Sequence, residues 1–316
     1  MSATVVVTSR SFSSGAADVE SRLAEAGLRV VRADASHARE ALAPMLSDAI
    51  AWIAGTAPVT ADLLDLAPRL RIVARYGVGF DAVDLEAARA RGIAVTNTPG
   101  ANSASVADLA LALTLASLRR VVTGMDAVRR RDWSAIRGRE IATLRVGIVG
   151  FGRIGRHFAD RVRALGADCL VHDPYLAGTA ELPDRTDRTE SLAELAGCDA
   201  VSLHAPGGRC LVDRDWLANA RQLALVNTAR ADLIDEQAVA EALRAGRLAS
   251  YAADTLGVEG GAPGRCPLMA ADLADRVVVT PHLGAQTVQS IDRMGLGAAE
   301  NVLAVVAGRP PVNPVS

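Results

Sequence analysis

The sequence predicts an α/β protein built from two doubly wound domains. Three observations carry that expectation. Short β-branched runs alternate with alanine- and leucine-rich stretches of helical spacing along the whole chain. The runs fall into two consecutive series, and the second opens on a glycine motif between a strand and a helix. Strands separated by helices pair in parallel through right-handed crossovers, because a twisted strand feeding a right-handed helix returns to the sheet only that way.

In the first series, strands are expected at 5–8, 29–32, 50–53, 71–75 and 93–96, with helices such as 17–26 and 60–66 between them. One long helix is expected over 104–130, which contains no proline. The second series places strands at 146–149, 169–172, 200–204, 223–227, 249–253 and 277–280. Six strands with intervening helices is the count of a doubly wound dinucleotide fold. A last helix over 284–307 is long enough to travel back to the first series. The expected boundaries lie near Pro99-Gly100 and Gly284, giving one domain from 1–100 and 285–316 and another from 101–284. A chain of 316 residues accommodates two domains of ordinary size.

Composition removes several classes of function. All 34 basic residues are arginine, so chemistry that needs a lysine amine is excluded, Schiff bases and the P-loop lysine among it. A net charge of −2 and 3% aromatic residues favour neither nucleic acid nor a membrane as partner. Cys169, Cys198, Cys210 and Cys266 are too widely spaced for a metal or redox pair, so no metal is expected and the compartment reads as reducing. Residues 1–4 run straight into the apolar Val5-Val6-Val7 without a signal-peptide pattern, and a cytoplasmic location is expected.

The strongest local signal is Val146-Gly147-Ile148-Val149-Gly150-Phe151-Gly152-Arg153-Ile154-Gly155, an apolar strand followed by G-x-G-x-x-G and a helix. Gly150 makes the tight turn, Gly152 lets a pyrophosphate approach the backbone, and Gly155 lets helix and strand pack closely. The phosphates then meet free N–H groups at the positive end of the helix dipole. The next strand ends in Asp173, 23 positions after Gly150, where a carboxylate accepts the ribose hydroxyls and repels a 2′-phosphate. NAD is expected over NADP.

A nicotinamide cofactor leaves an anionic substrate to be held and a proton to be moved. Three strand ends meet those needs. Arg230 follows Val226-Asn227-Thr228-Ala229, and its paired N–H donors suit a carboxylate. Tyr251-Ala252-Ala253-Asp254 leads to Glu259, and His282 follows Val279-Thr280-Pro281. A glutamate beside a histidine raises the imidazole pKa and orients the ring for acid–base work. Each alone has a bland alternative: a surface ion pair, a loop charge, a strand-end histidine. Of the other histidines, His37 and His157 read as solvated or packing residues and His172 as structural, while His204 ends a strand at the edge where cofactors bind.

The order and spacing of further segments resemble the NAD-dependent D-2-hydroxyacid dehydrogenase family, nearest in pattern to the phosphoglycerate enzymes. They are Arg75-Tyr76-Gly77-Val78-Gly79-Phe80-Asp81, Val95-Thr96-Asn97-Thr98-Pro99-Gly100, Ser105-Val106-Ala107-Asp108, Asn227-Thr228-Ala229-Arg230, Leu233-Ile234-Asp235-Glu236 and Pro281-His282-Leu283-Gly284. The resemblance implies a flavodoxin-like substrate domain from both termini, a central Rossmann domain that binds NAD, and a homodimer built through the cofactor domains. It assigns Arg230, Glu259 and His282 as catalytic, Val78 and Gly79 as the loop whose amides hold the substrate carboxylate, and Arg75 as a contact to a distal phosphate. Arg137 and Arg139 are further candidates for that phosphate. It places Arg153, Ile154, Asp173, Thr228 and Asp254 on the cofactor, with Gly150, Gly152 and Gly155. The implied reaction is reversible hydride transfer between NAD(H) and a small 2-oxo or 2-hydroxy acid, one carrying a phosphate or phosphonate included. The alternatives are oxidation of a small oxyanion such as formate or phosphite on the same scaffold, and a non-enzymatic NAD-sensing dimer. The sequence departs from the family pattern at Gly260-Gly261 after Glu259, at Ala231, at Asp108 and in Gly207-Gly208-Arg209-Cys210.

Overall fold

The computed structural model describes residues 3–179, 181–258 and 266–315. Contacts divide the chain into two compact units, 1–105 with 285–316, and 106–284.

In the first unit, β1 (Ala3–Val7), β2 (Leu28–Arg32), β3 (Ala49–Ala54), β4 (Ile72–Arg75) and β5 (Ala94–Thr96) form one parallel sheet. Its order is β2-β1-β3-β4-β5, the flavodoxin-type arrangement. β3 and β4 are buried almost throughout, which is why they read as unbroken apolar runs instead of alternating ones. The crossovers contain α1 (Val19–Glu25), α2 (Arg39–Leu46), α3 (Ala61–Leu64) and α4 (Leu85–Ala90). Asp18 and Asp84 cap α1 and α4 by accepting from Ser21 N and Ala87 N, each satisfying an amide that a helix start leaves without a partner. The C-terminal helix α10 (Val288–Val306) buries Met294, Ala298 and Val302 in the same core as Val7, Ile53 and Ile72.

In the second unit, seven parallel strands run in the order β12-β11-β10-β9-β6-β7-β8. They are β6 (Arg145–Val149), β7 (Asp168–His172), β8 (Thr186–Arg188), β9 (Ala200–Leu203), β10 (Leu223–Asn227), β11 (Leu248–Ala253) and β12 (Val277–Val279). The winding reverses between β6 and β9, and open α/β sheets bind ligands at the carboxyl ends of strands beside such a reversal. The associated helices are α5 (Ser103–Leu118), α6 (Val121–Arg129), α7 (Arg153–Ala164), α8 (Arg214–Ala218) and α9 (Glu236–Arg244).

Several expectations need correction. The helix expected over 104–130 is two helices, α5 and α6. They are separated at Arg120, whose φ of +54° is left-handed and cannot continue a helix. The sheet expected to hold six strands holds a seventh, β8, whose Thr-Asp-Arg sequence has no apolar run to reveal it. The last helix starts at Val288 and not at 284, because Thr287 caps it by accepting from Ser290 N. By contacts, the first division between units falls at Ser105/Val106, inside α5 and a few residues beyond Pro99-Gly100. No helix among the described residues is long and apolar enough to cross a membrane.

Candidate functional site

The glycine loop joins β6 to α7 at the reversal of the sheet. Gly150 has a φ of +89°, and a Cβ there would lie 2.8 Å from the His204 carbonyl, so this turn admits only glycine. A Cβ on Gly155 would lie 2.1 Å from the Gly150 carbonyl oxygen, which is the close helix–strand contact the motif requires. Gly152, by contrast, faces open space: a Cβ there meets nothing within 4 Å. Gly152 also occupies the N-cap of α7 and offers no capping side chain, so the first amides of Arg153 and Ile154 keep their donors for a ligand.

Asp173 ends the neighbouring strand. Its Oδ2 accepts from Phe151 N at 2.7 Å and its Oδ1 from Tyr175 N at 2.8 Å, which ties the carboxylate to the glycine loop. An ionised carboxylate has about four acceptor positions, so two remain for ribose hydroxyls. Thr228, at the end of β10, is buried, and its hydroxyl finds no partner among the described residues. An amide-rich cradle, an aligned acid and an orphaned hydroxyl fit a dinucleotide.

Further along the same sheet edge, Arg230 and His282 are joined by a continuous chain of hydrogen bonds. Asn227 Nδ2 donates to the Arg230 carbonyl at 2.8 Å, Asp254 N to the Asn227 carbonyl at 2.9 Å, and His282 N to the Asp254 carbonyl at 3.1 Å. The Asp254 side chain, 2% exposed, closes the turn that carries His282. Its Oδ1 accepts from the Thr280 hydroxyl at 2.5 Å and from Leu283 N at 2.7 Å, and its Oδ2 from Gly284 N at 2.8 Å. His282 has a φ of +54° and an exposed side chain. The left-handed conformation turns it out of the strand, and the Asp254 bonds hold it there against the strain. Arg230 is half-buried, with Nη1 donating to the Ala229 carbonyl at 3.0 Å.

The remaining expected residues fall differently. Glu259 lies outside the described residues. Val78 and Gly79 follow β4 in the first unit, where Asn97 Nδ2 donates to the Val78 carbonyl at 2.7 Å. Arg75, expected on a distal phosphate, is 5% exposed and donates from Nη1 to the Ala54 carbonyl at 2.8 Å and from Nε to the Gly79 carbonyl at 3.1 Å. It braces the loop from below. Arg137 and Arg139 are both exposed, and Arg139 forms an ion pair with Asp199.

Two histidines carry more than the sequence suggests. His204 is half-buried, with both ring nitrogens shielded from solvent and its ring 5.0 Å from that of Phe158, and desolvation pushes its pKa down to about 3. His37, read as solvated or packing, is buried and hydrogen-bonded through both ring nitrogens. No local pattern marks it.

With fold and site in hand, comparison with known proteins gives the class. The family model described as "D-isomer specific 2-hydroxyacid dehydrogenase, NAD binding domain" matches residues 111–284. The chain belongs to the D-isomer specific 2-hydroxyacid dehydrogenase family, and that segment is its NAD-binding domain. Among relatives, the D-3-phosphoglycerate dehydrogenase of Mycobacterium leprae is 40% identical over 260 residues, covering 79% of this chain and 48% of that protein. The hydroxypyruvate reductase of Thermotoga maritima is 34% identical over 251 residues, covering 77% of this chain and 80% of that one. Among solved structures, the TT0316 protein from Thermus thermophilus superposes with a TM-score of 0.87 at 38% identity, covering 99% of this chain and 100% of that chain. The chain spans about half the length of the phosphoglycerate dehydrogenases it matches.

Proposed function

We propose that this protein catalyses reversible reduction of a small 2-oxo acid to the D-2-hydroxy acid, with NAD(H) as the coenzyme. The observation that carries the reading is the Asp254-centred turn. It projects an imidazole from the carboxyl edge of the sheet and connects it, through three hydrogen bonds, to the backbone of an arginine on the same edge. Bound nicotinamide supplies the hydride for reduction and takes it back in oxidation. The guanidinium of Arg230 holds the substrate carboxylate and polarises the 2-oxo oxygen through paired N–H donors. His282, protonated, gives its proton to that oxygen as the carbonyl carbon gains hydride, and recovers it in the reverse direction; such general-acid help contributes about 100- to 10,000-fold. Glu259 is assigned to orient and charge the imidazole, and the amides of Val78 and Gly79 to hold the carboxylate. Gly150, Gly152, Gly155, Arg153, Ile154, Asp173, Thr228 and Asp254 are assigned to the coenzyme.

The substrate is proposed to be small. Arg75 spends donors on two main-chain carbonyls and Arg139 faces Asp199, so neither supports a dedicated phosphate site. NADH oxidation over a panel of glyoxylate, hydroxypyruvate, pyruvate and phosphohydroxypyruvate tests this. Turnover of at least one oxo acid without a phosphate is expected, and a strong preference for the phosphorylated compound would reverse the substrate assignment.

A homodimer is proposed through the second unit. Val121, Met125 and Val128 sit four and three residues apart on α6 and are 54%, 45% and 44% exposed, with Trp133 beyond them 82% exposed. An apolar stripe at this spacing is a surface for burial, not for water. Sedimentation of Met125→Glu beside the unaltered protein tests it: the variant is expected as a monomer, and two identical profiles would contradict the assignment.

A further inference from the structure

His37, Thr8 and Arg75 form one buried hydrogen-bonded relay at the carboxyl edge of the first unit's sheet. His37 is 5% exposed and Thr8 1% exposed. The Thr8 hydroxyl touches three groups: Trp52 Nε1 at 3.0 Å, Gly55 N at 3.2 Å and His37 Nε2 at 2.7 Å. A hydroxyl accepts two hydrogen bonds and donates one. Trp52 Nε1 and Gly55 N only donate, so they fill both lone pairs, and the single hydroxyl proton goes to His37 Nε2. That nitrogen is therefore an acceptor. Nδ1 carries the ring proton and donates to the Pro58 carbonyl at 2.8 Å. The bond inventory fixes His37 as the neutral Nδ1–H tautomer.

The relay continues through one peptide plane. The N–H of Gly55 donates to Thr8, and the carbonyl of the same peptide, Ala54 O, accepts from Arg75 Nη1 at 2.8 Å. Arg75 Nε then donates to the Gly79 carbonyl at 3.1 Å. A Cβ on Gly55 would lie 2.8 Å from the Thr8 carbonyl oxygen, so the peptide is held tightly against β1.

We propose that neutral His37 is a positioning residue for the Val78–Gly79 loop, acting through Thr8, the Ala54–Gly55 peptide and Arg75. The proposal rests on the reading that this loop holds the substrate carboxylate. Protonation at Nε2 sets a donor against the Thr8 hydroxyl. Thr8 can then accept from His37 only by giving up Trp52 or Gly55, and losing Gly55 frees the N–H side of the peptide on which Arg75 rests, leaving that peptide held by Tyr76 N, which donates to the Ala54 carbonyl at 3.0 Å. Burial holds the ring neutral below the ordinary histidine range; Arg75 adds to that, while the Pro58 hydrogen bond and Asp34 oppose it. The relay thereby makes substrate affinity fall in acid independently of the proton chemistry at His282.

The test is the pH dependence of KM for a turned-over 2-oxo acid in the unaltered protein and in His37→Gln, whose amide oxygen still accepts from Thr8 but does not titrate. The unaltered KM is expected to climb about tenfold below pH 6.5, the loss of roughly one hydrogen bond. The His37→Gln KM is expected to stay flat. Equal climbs in both proteins, or a flat KM in the unaltered one, overturn the proposal. Nitrogen-15 NMR of the unaltered protein decides the relay without turnover. The Nδ1–H tautomer of His37, with Val78, Gly79 and Phe80 amides shifting as the ring titrates, supports it; an Nε2–H tautomer or indifferent loop amides overturn it. If no 2-oxo acid consumes NADH, the proposed function falls, and the NMR result still judges the relay by itself.

Discussion

The main-chain amide of His282 donates to the main-chain carbonyl of Asp254 at 3.1 Å, and the Asp254 carboxylate accepts from the two amides that follow, Leu283 N and Gly284 N. One buried acid thus sets where an exposed imidazole points. Replacing Asp254 with alanine leaves those amides and the Thr280 hydroxyl without their acceptor, at about 1–3 kcal/mol for each group that stays buried. Asp254→Ala is expected to lower Tm and to cut kcat by about a hundredfold through misplacement of His282. Asp254→Asn, which keeps one acceptor oxygen, is expected to fall between. Thermal melts and steady-state kinetics on the pair check this; unchanged kcat in the alanine variant would remove Asp254 from the site.

The glycine loop predicts a contrast between two neighbouring positions. Gly155→Ala drives a methyl group to 2.1 Å from the Gly150 carbonyl oxygen and is expected to destabilise by about 1–3 kcal/mol. Gly152→Ala meets nothing within 4 Å, so its Tm is expected to match the unaltered protein, while its Kd for NADH rises by about tenfold as the methyl occupies the pyrophosphate's approach. Calorimetry and NADH titration separate the two outcomes.

Asp173 discriminates between dinucleotides by charge. Its carboxylate is anchored on Phe151 N and Tyr175 N, so it cannot swing away from a 2′-phosphate. Asp173→Ala is expected to weaken NADH and to shift the NADPH-to-NADH preference by about tenfold or more, because like-charge contact costs several kcal/mol. The ratio of kcat/KM for the two coenzymes measures it.

Stability is expected to fall in acid. His204 titrates at 6.5 when unfolded and at about 3 when folded, so between those values the unfolded chain holds the extra proton and lowering the pH favours unfolding. The loss is about 1.4 kcal/mol for each pH unit below 6.5 and ends near pH 3. His37, also lowered, adds in the same direction. The His204 ring nitrogens have no partner among the described residues, so His204→Phe is expected to fold and to flatten the slope of Tm against pH. A slope identical to the unaltered protein's would assign the acid loss elsewhere.

Much of this arrangement is legible in the sequence alone, and what is legible is local. Gly150, Gly152, Gly155 and Asp173 are tied together by spacing along a strand, a turn and a helix. Arg230 and His282 declare themselves as charged residues at strand ends. The Asp254 hub is not legible, because its bonds depend on the parallel register that sets Asn227 opposite Ala253 and Ala253 opposite Val279. The His37 relay depends in the same way on β1 lying beside β3, which brings Thr8 to Gly55. The break at Arg120 carries neither glycine nor proline, and β8 carries no apolar residue, so neither gives a local sign.

The central claim is that His282 passes a proton to the oxygen of a substrate whose carbon receives hydride at the Arg230 edge of the sheet. The most direct measurement is single-turnover transfer of deuterium from NADH labelled at C4 to a 2-oxo acid, in the unaltered protein and in His282→Ala. Deuterium is expected at C2 of the D-hydroxy acid, with the variant slower by about 100- to 10,000-fold at an unchanged Kd for NADH. Transfer by His282→Ala at the unaltered rate would contradict the account.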